Sequence, residues 1–267
     1  MEKIGLIAGN RKFPIILAEA AKKNNYYIVA VAIKGDTSSK IKKFVDKIYW
    51  LNLSEFSSMF EIFKSEGITK VVMAGQISPW RLFSNEIKKD PQLKKILQDL
   101  KDKRADSIFS SIAEILKDSG LELLDSTLFL QDYLPKKGTL TKREPDFEVW
   151  EDVYFGFDLA KKIAALDIGQ SVAIKNKAIV AIEALEGTDR LIRRAGNIAG
   201  CLTTIVKVSK PNQDKRFDIP VVGKNTLKNL IRAKAACLAI EAGKTLFIDE
   251  KESIKLADKK GISIVAV

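Results

Sequence analysis

Lys3-Ile4-Gly5-Leu6-Ile7-Ala8-Gly9-Asn10-Arg11-Lys12-Phe13-Pro14 decides the fold class. Lys3–Ala8 is a short apolar run that stops at Gly9-Asn10. Pro14, tolerated in the first turn of a helix, then opens an apolar-periodic stretch through Ala21. This reads as strand, turn, helix, and the pattern recurs. Tyr27–Ile33 is rich in β-formers and ends at Lys34-Gly35-Asp36-Thr37. Lys47–Leu51 reads as a third strand and Leu53–Glu66 as a helix stopped by Gly67. Lys70–Ala74 is a fourth strand, closed by Gly75-Gln76-Ile77-Ser78-Pro79. Phe83–Gly120 reads as mostly helical and Leu121–Leu130 as one more strand. Strands alternating with helices predict an α/β domain with a doubly wound, Rossmann-like parallel sheet.

Two of these strands end alike, at Ala8-Gly9 and Ala74-Gly75. In an open α/β sheet, ligands lie beyond the carboxyl ends of the strands, and glycine lets backbone amides approach them. Gly9, Gly75 and Gln76 are therefore candidate substrate-binding residues. A plain tight turn explains them as well, because Asn10-Arg11-Lys12 after Gly9 does not make the GxGxxG dinucleotide fingerprint.

Further along, Tyr133–Pro145 (YLPKKGTLTKREP) is short of large apolar residues and reads as a linker. The expected division is residues 1–132, a linker at 133–146, and a smaller C-terminal α/β domain at 147–267 that carries the catalysis. Within it, Glu148–Leu166 reads as a helix and Gln170–Glu183 as a β-hairpin about Asn176-Lys177. Thr188 is expected to cap a helix from Asp189 to Ala195 that stops at Gly196. Cys201–Val208 is expected as a strand, and Gly223 to about Glu241 as one helix. Leu246–Asp249, a helix at Lys251–Lys260 and Ile262–Val267 complete the domain.

Composition narrows the chemistry. The chain of 267 residues contains no histidine, which excludes Ser-His-Asp triads, Cys-His pairs and HExxH zinc sites. Proton transfer falls to Asp, Glu, Lys, Tyr or water. Cys201 and Cys237 lie in apolar runs and read as small core residues of a reducing compartment. Lys and Arg outnumber Asp and Glu by 45 to 34, a net charge of +11 that favours anionic partners; a lysine-rich background explains it equally well. Aromatics make up only 8% and form no RNP-like pattern, which argues against a nucleic-acid-binding module. The amino-terminal MEKIGLIAGNRKFP does not read as a signal peptide, and no apolar run reaches the length of a membrane span. The expected location is cytoplasmic, at most peripheral to a membrane.

The densest mixture of acids, bases and turn residues is Glu186–Pro220. Arg190, Arg193 and Arg194 share one helix face, with Glu186 and Asp189 near its start. That arrangement suits a metal-bridged polyphosphate, and it equally suits a solvated basic helix whose acids complement the dipole. In Asp214-Lys215-Arg216-Phe217-Asp218, the two aspartates share a face whether the segment is extended or helical, and Phe217 and Ile219 read as its buried side.

The runs EGTDRLIRRAG (186–196) and KVSKPNQDKRFDIPVVG (207–223), with DIGQSV (167–172), AIEAGKTLFID (239–249), LIAGNRKFP (6–14) and GQISP (75–79), resemble one family. It is the LpxI family, the UDP-2,3-diacylglucosamine pyrophosphatases of lipid A biosynthesis. The resemblance implies Mg²⁺-dependent hydrolysis to UMP and 2,3-diacylglucosamine 1-phosphate. It also implies two domains with the lipid substrate held between them, and an essential aspartate in the C-terminal one. The motif aspartates here are Asp189, Asp214 and Asp218; which is essential stays open. On this reading Asp214 and Asp218, with Asp189 or Glu186, hold Mg²⁺ and orient water, and Lys210 joins them in catalysis. Lys207, Arg190 and Arg216 neutralise phosphate, and Gly187, Thr188 and Gln213 complete the substrate contacts. The chain departs from the family at Gly9-Asn10-Arg11, where relatives have a glycine-richer turn, and at Arg104-Ala105-Asp106 in place of Gly-Asp-Asp, which leaves Asp106 alone there. The implied partners are a lipid-linked nucleotide sugar, an anionic inner-membrane face and a second copy of the chain, with no nucleic acid. The competing readings are another metal-dependent phosphate enzyme, such as a nucleotide-sugar transferase, or a basic nucleic-acid-binding module.

Overall fold

A computed structural model describes residues 1–78, 80–81, 84–102 and 104–267, and of residues 105 and 106 the backbone alone. It divides into two compact units. The first comprises Met1–Gln131 with Asp214–Asp218, and the second Asp132–Gln213 with Ile219–Val267.

In the first unit the opening stretch folds as β1 (Glu2–Ala8) and α1 (Phe13–Lys23), with Pro14 in the first turn as its missing N–H permits. β2 (Tyr26–Ile33), β3 (Lys47–Leu51), α2 (Ser58–Ser65), β4 (Lys70–Ala74), α3 (Pro91–Asp99), α4 (Ala105–Asp118) and β5 (Glu122–Leu123) follow. The five strands form one all-parallel sheet in the order β3-β2-β1-β4-β5. β1 and β2 are buried along most of their length, because helices cover both faces. The strand order reverses between β1 and β4, which makes their carboxyl ends the switch point of the sheet.

Two expectations shorten. The helix read over Leu53–Glu66 begins as a 3-10 turn at Leu53–Glu55, closed by Glu55 accepting from the Asn52 amide at 2.8 Å, before α2 starts. The strand read over Leu121–Leu130 ends at Leu123, because Asp125 turns the chain by accepting the Thr127 amide and hydroxyl, both at 2.7 Å.

The second unit contains β6 (Gly138–Thr139), α5 (Phe147–Ala165), β7 (Ser171–Lys175), β8 (Ala178–Ile182), α6 (Thr188–Ala199), β9 (Thr204–Lys207), β10 (Val221–Val222), α7 (Lys224–Arg232), β11 (Cys237–Ile240), β12 (Leu246–Phe247), α8 (Glu250–Lys260) and β13 (Ser263–Ala266). Its main sheet has six strands, in the order β6-β13-β11-β9-β7-β8. β9, β11 and β13 are parallel, while β6, β7 and β8 run antiparallel to their neighbours. β10 and β12 form a separate parallel pair. The hairpin turns at Asn176-Lys177, both with positive φ as a two-residue primed turn requires. Asp152 on α5 accepts both turn amides, at 3.0 and 2.6 Å.

Three departures from the sequence reading have local causes. α6 continues through Gly196 to Ala199 and is capped by Gly200; Gly196 is a contact point, since a Cβ there would lie 2.8 Å from that of Ala233. The apolar segment at Cys237–Ile240, read as the end of a helix, is a fully buried central strand; a short apolar run does not distinguish the two. Gly138–Thr139, inside the stretch read as linker, pairs with Val265–Ala266 as an edge strand.

Candidate functional site

At the switch point of the first unit, the Gly9 amide donates to Ala74 O at 2.8 Å and the Asn10 amide to Gln76 O at 2.7 Å. A Cβ on Gly9 would come within 2.6 Å of Gln76 O, and one on Gly75 (φ +80°) within 2.5 Å of Asn10 O. Both glycines are thus required by the close approach of two backbone loops, which is the tight-turn alternative. Beside them Asp36, just past β2, is held by Ser78, which donates its hydroxyl, and by Arg81 at 3.3 Å. Arg81 also donates to Lys34 O at 2.7 Å. The sequence offered only a turn at Gly35-Asp36-Thr37 and no sign of this ion pair.

The Asp214–Asp218 segment, expected in the C-terminal domain, packs with the first unit. Phe217 stacks on Phe109 of α4 with ring centroids 5.4 Å apart, and Lys215 O accepts the Ser126 amide at 3.0 Å and its hydroxyl at 2.7 Å. The Phe217 and Asp218 amides donate to Asp214 O at 3.3 and 3.0 Å, so the segment is a helical turn. Of the two conformations that pair the aspartates, the i, i+4 one is realised. Arg216 grips Asp214 with both edges of its guanidinium, Nε to Oδ1 at 2.9 Å and Nη2 to Oδ2 at 2.6 Å.

The Arg216 hydrogen bonds hold the Asp214 carboxyl below its ordinary range, against the opposing effect of burial. A depressed folded-state pKa gives stability that is present above the unfolded value, about 3.9, and lost as pH falls through the folded one. Asp214→Asn should therefore lower the urea midpoint at pH 7. The gap to wild type should close below about pH 4. A gap that persists into acid would show that the Arg216 grip contributes nothing.

In the second unit, α6 is capped by Gly187 (φ +81°), and Thr188 is its first residue rather than its cap. The freed Thr188 hydroxyl accepts from Lys207 Nζ at 2.7 Å and donates to Glu183 Oε1 at 3.0 Å, with Ser171 Oγ at 3.3 Å. Lys207 ends β9 and Glu183 follows β8, so sheet topology brings them to the start of α6. Asp189 is buried, and its Oδ2 accepts from Asn225 of α7 at 2.7 Å. Lys210 Nζ lies 2.5 Å from Asp167 Oδ1, and the Lys210 amide donates to Gln213 Oε1 at 2.6 Å. Arg190 and Arg193 are exposed on α6. The structure therefore joins Thr188 with Lys207 and Lys210 with Gln213. It adds Glu183, Asn225, Ser171 and Asp167, which the sequence reading did not single out as site residues; Asp167 and Ser171 do lie within the quoted DIGQSV run. Cys237 is fully buried in apolar surroundings that push its thiol pKa up, in keeping with a core role.

Among the described residues no three carboxylates or thiols gather into a metal-binding group. Asp214 is engaged by Arg216, and Glu186 by Arg194 at 2.7 Å and the Ala184 amide at 3.0 Å. The side chain of Asp106 lies outside the described residues.

Residues 3–133 match the model of the LpxI N-terminal domain, and residues 136–265 that of the LpxI C-terminal domain. The chain belongs to the LpxI family. A relative from Caulobacter vibrioides, the UDP-2,3-diacylglucosamine pyrophosphatase LpxI, is 27% identical over 278 residues, spanning 100% of this chain and 98% of that protein. Among solved structures, N5-carboxyaminoimidazole ribonucleotide synthetase from Thermotoga maritima is 17% identical, with a TM-score of 0.25 over 68% of this chain and 41% of its own. Phosphoribosylglycinamide synthetase from Anaerococcus prevotii is 10% identical, with a TM-score of 0.24 over 67% of this chain and 38% of its own. This chain spans less than half of either, and likenesses so distant say nothing about LpxI chemistry. No described helix is long and apolar enough to cross a membrane.

Proposed function

We propose that this LpxI-family protein hydrolyses the pyrophosphate bond of UDP-2,3-diacylglucosamine, giving UMP and 2,3-diacylglucosamine 1-phosphate in a Mg²⁺-dependent reaction. The observation that supports it best is the start of α6, where the buried ammonium of Lys207 stands against the first helical residue. A helix N-terminus and a lysine together are a natural seat for a phosphoryl group. The full-length relative bearing that name points to the same substrate.

In this reading Lys207, Lys210, Arg190 and Arg216 neutralise phosphate charge, with Gly187, Thr188 and Gln213 shaping their surroundings. Gly9, Gly75 and Gln76 form a rigid edge for the nucleotide in the first unit. Asp218 orients the attacking water, with Asp214 of the same turn as its carboxylate partner, and Asp189 is the candidate carboxylate of the second unit. Magnesium needs no preformed cage, since it is commonly bound through one or two carboxylates and the substrate's own phosphates while keeping several waters. The basic surplus suits docking at an anionic inner-membrane face, where the lipid substrate resides.

Purified protein incubated with UDP-2,3-diacylglucosamine should release UMP in Mg²⁺ and lose that activity in EDTA. Absence of UMP with every divalent metal tried would sink the assignment. Activity unchanged in EDTA would remove magnesium from it.

A further inference from the structure

Glu183 is the one carboxylate at the start of α6 that neither the sequence motifs nor the family resemblance singles out. It is 8% exposed and Lys207 is 9% exposed, so both charges are buried. The Thr188 hydroxyl links them, donating to Glu183 and accepting from Lys207. Among the described residues, Glu183 Oε2 is buried and has no hydrogen-bond partner. Among the described residues, Lys207 Nζ makes only the Thr188 hydrogen bond, which leaves two of its three donors for a ligand. The Glu183 carboxyl thus lies buried beside the start of α6, next to the seat read above for a phosphoryl group.

The two sides of a pyrophosphate hydrolysis differ in charge in a way this arrangement detects. Each phosphorus of a substrate diester pyrophosphate carries one negative charge. After water adds and the P–O–P bridge breaks, each product is a phosphomonoester with a second ionisation near pH 6. At neutral pH a monoester therefore brings more negative charge to the same seat. We propose that Glu183 is a charge-discriminating residue. Resting on the hydrolase reading above, it lets Lys207 hold a singly charged phosphoryl group and weakens the hold on the doubly charged product, favouring its release. The like-charge penalty is large here because burial limits screening by water and salt.

The charged groups around Glu183 set the background for a pH test. Lys207 faces it from β9, Asp189 follows Thr188 on α6, and Glu186 with its partner Arg194 lies on the connection from β8. Product dianions normally bind a lysine site more tightly as they ionise. The expected result here is the reverse: by calorimetry, UMP affinity should fall at least about tenfold from pH 5.5 to pH 8. Glu183→Gln should bind UMP at least about tenfold tighter than wild type at pH 8 and lose the downward trend, while Glu183→Asp keeps it. Equal or weaker UMP binding by E183Q at pH 8 overturns the proposal. If E183Q does not fold, a flat or rising wild-type profile overturns it alone. Because this readout is binding, it separates from the hydrolase assay: a protein that makes no UMP would refute the function while the charge test still decides the role of Glu183.

Discussion

Asp218→Ala should abolish UMP release, lowering kcat by about a thousandfold or more, the scale expected when a group that positions or deprotonates water is lost. The surrounding turn should survive. It is held by the Phe217 and Asp218 amides on Asp214 O, by the Phe217–Phe109 stack and by the Ser126 bonds to Lys215 O, and none of these uses the Asp218 carboxylate. Thermal unfolding of the variant, read beside turnover, separates a loss of chemistry from a loss of fold. Asp218→Asn, which keeps the shape and removes the charge, should be nearly as inactive. Turnover within a few-fold of wild type in either variant would take Asp218 out of the reaction and leave Asp189 as the leading carboxylate.

The second large effect is on folding. Gly75→Ala should destabilise the protein by about 3 kcal/mol or more, because it combines a positive-φ penalty with a clash the structure cannot relieve cheaply. The new methyl would lie 2.5 Å from Asn10 O and 2.9 Å from Pro14 Cγ, and the opposing loop is itself fixed by hydrogen bonds to Ala74 and Gln76. Gly67→Ala is the matched control. Its φ is +67°, but nothing lies within 4 Å of the added carbon, so only the conformational cost of about 1–2 kcal/mol remains. Urea unfolding of the two variants checks the contrast, and equal losses would show that the loop contact is not tight.

Much of the architecture was legible because it rests on short-range signals. β1, α1, β2, β3 and β4 follow from apolar runs punctuated by glycine and proline, and the β7–β8 hairpin from alternation about Asn176-Lys177. What escaped was set by partners distant in sequence. Gly196 looked like a stop signal and is instead a packing point on Ala233. The strand at Cys237–Ile240 carries the same apolar pattern as a buried helix end, and only its place between β9 and β13 decides between them.

The site was legible to the same degree. Thr188 and Lys207 could be named from their neighbourhood in sequence, but their bond depends on β9 ending opposite the start of α6. Glu183 and Asn225 could not be found that way, since each is an ordinary polar residue until the fold aims it. Asp214 and Asp218 stand at i and i+4 of one turn, one of the two conformations the sequence allowed. Their residence with the first unit rests on partners distant in sequence, Phe109 for Phe217 and Ser126 for Lys215 O, which no local pattern encodes.

That excursion has a consequence for how the protein is made. The chain leaves the first unit at Gln131, returns to it for Asp214–Asp218, and leaves again, so neither unit is a single uninterrupted segment. As the polypeptide emerges from the ribosome, the first half cannot complete its aromatic stack until more than eighty further residues have been synthesised. A gene cut between the two family domains would yield a first fragment lacking the aspartate turn, and a second fragment carrying that turn with no α4 to receive it.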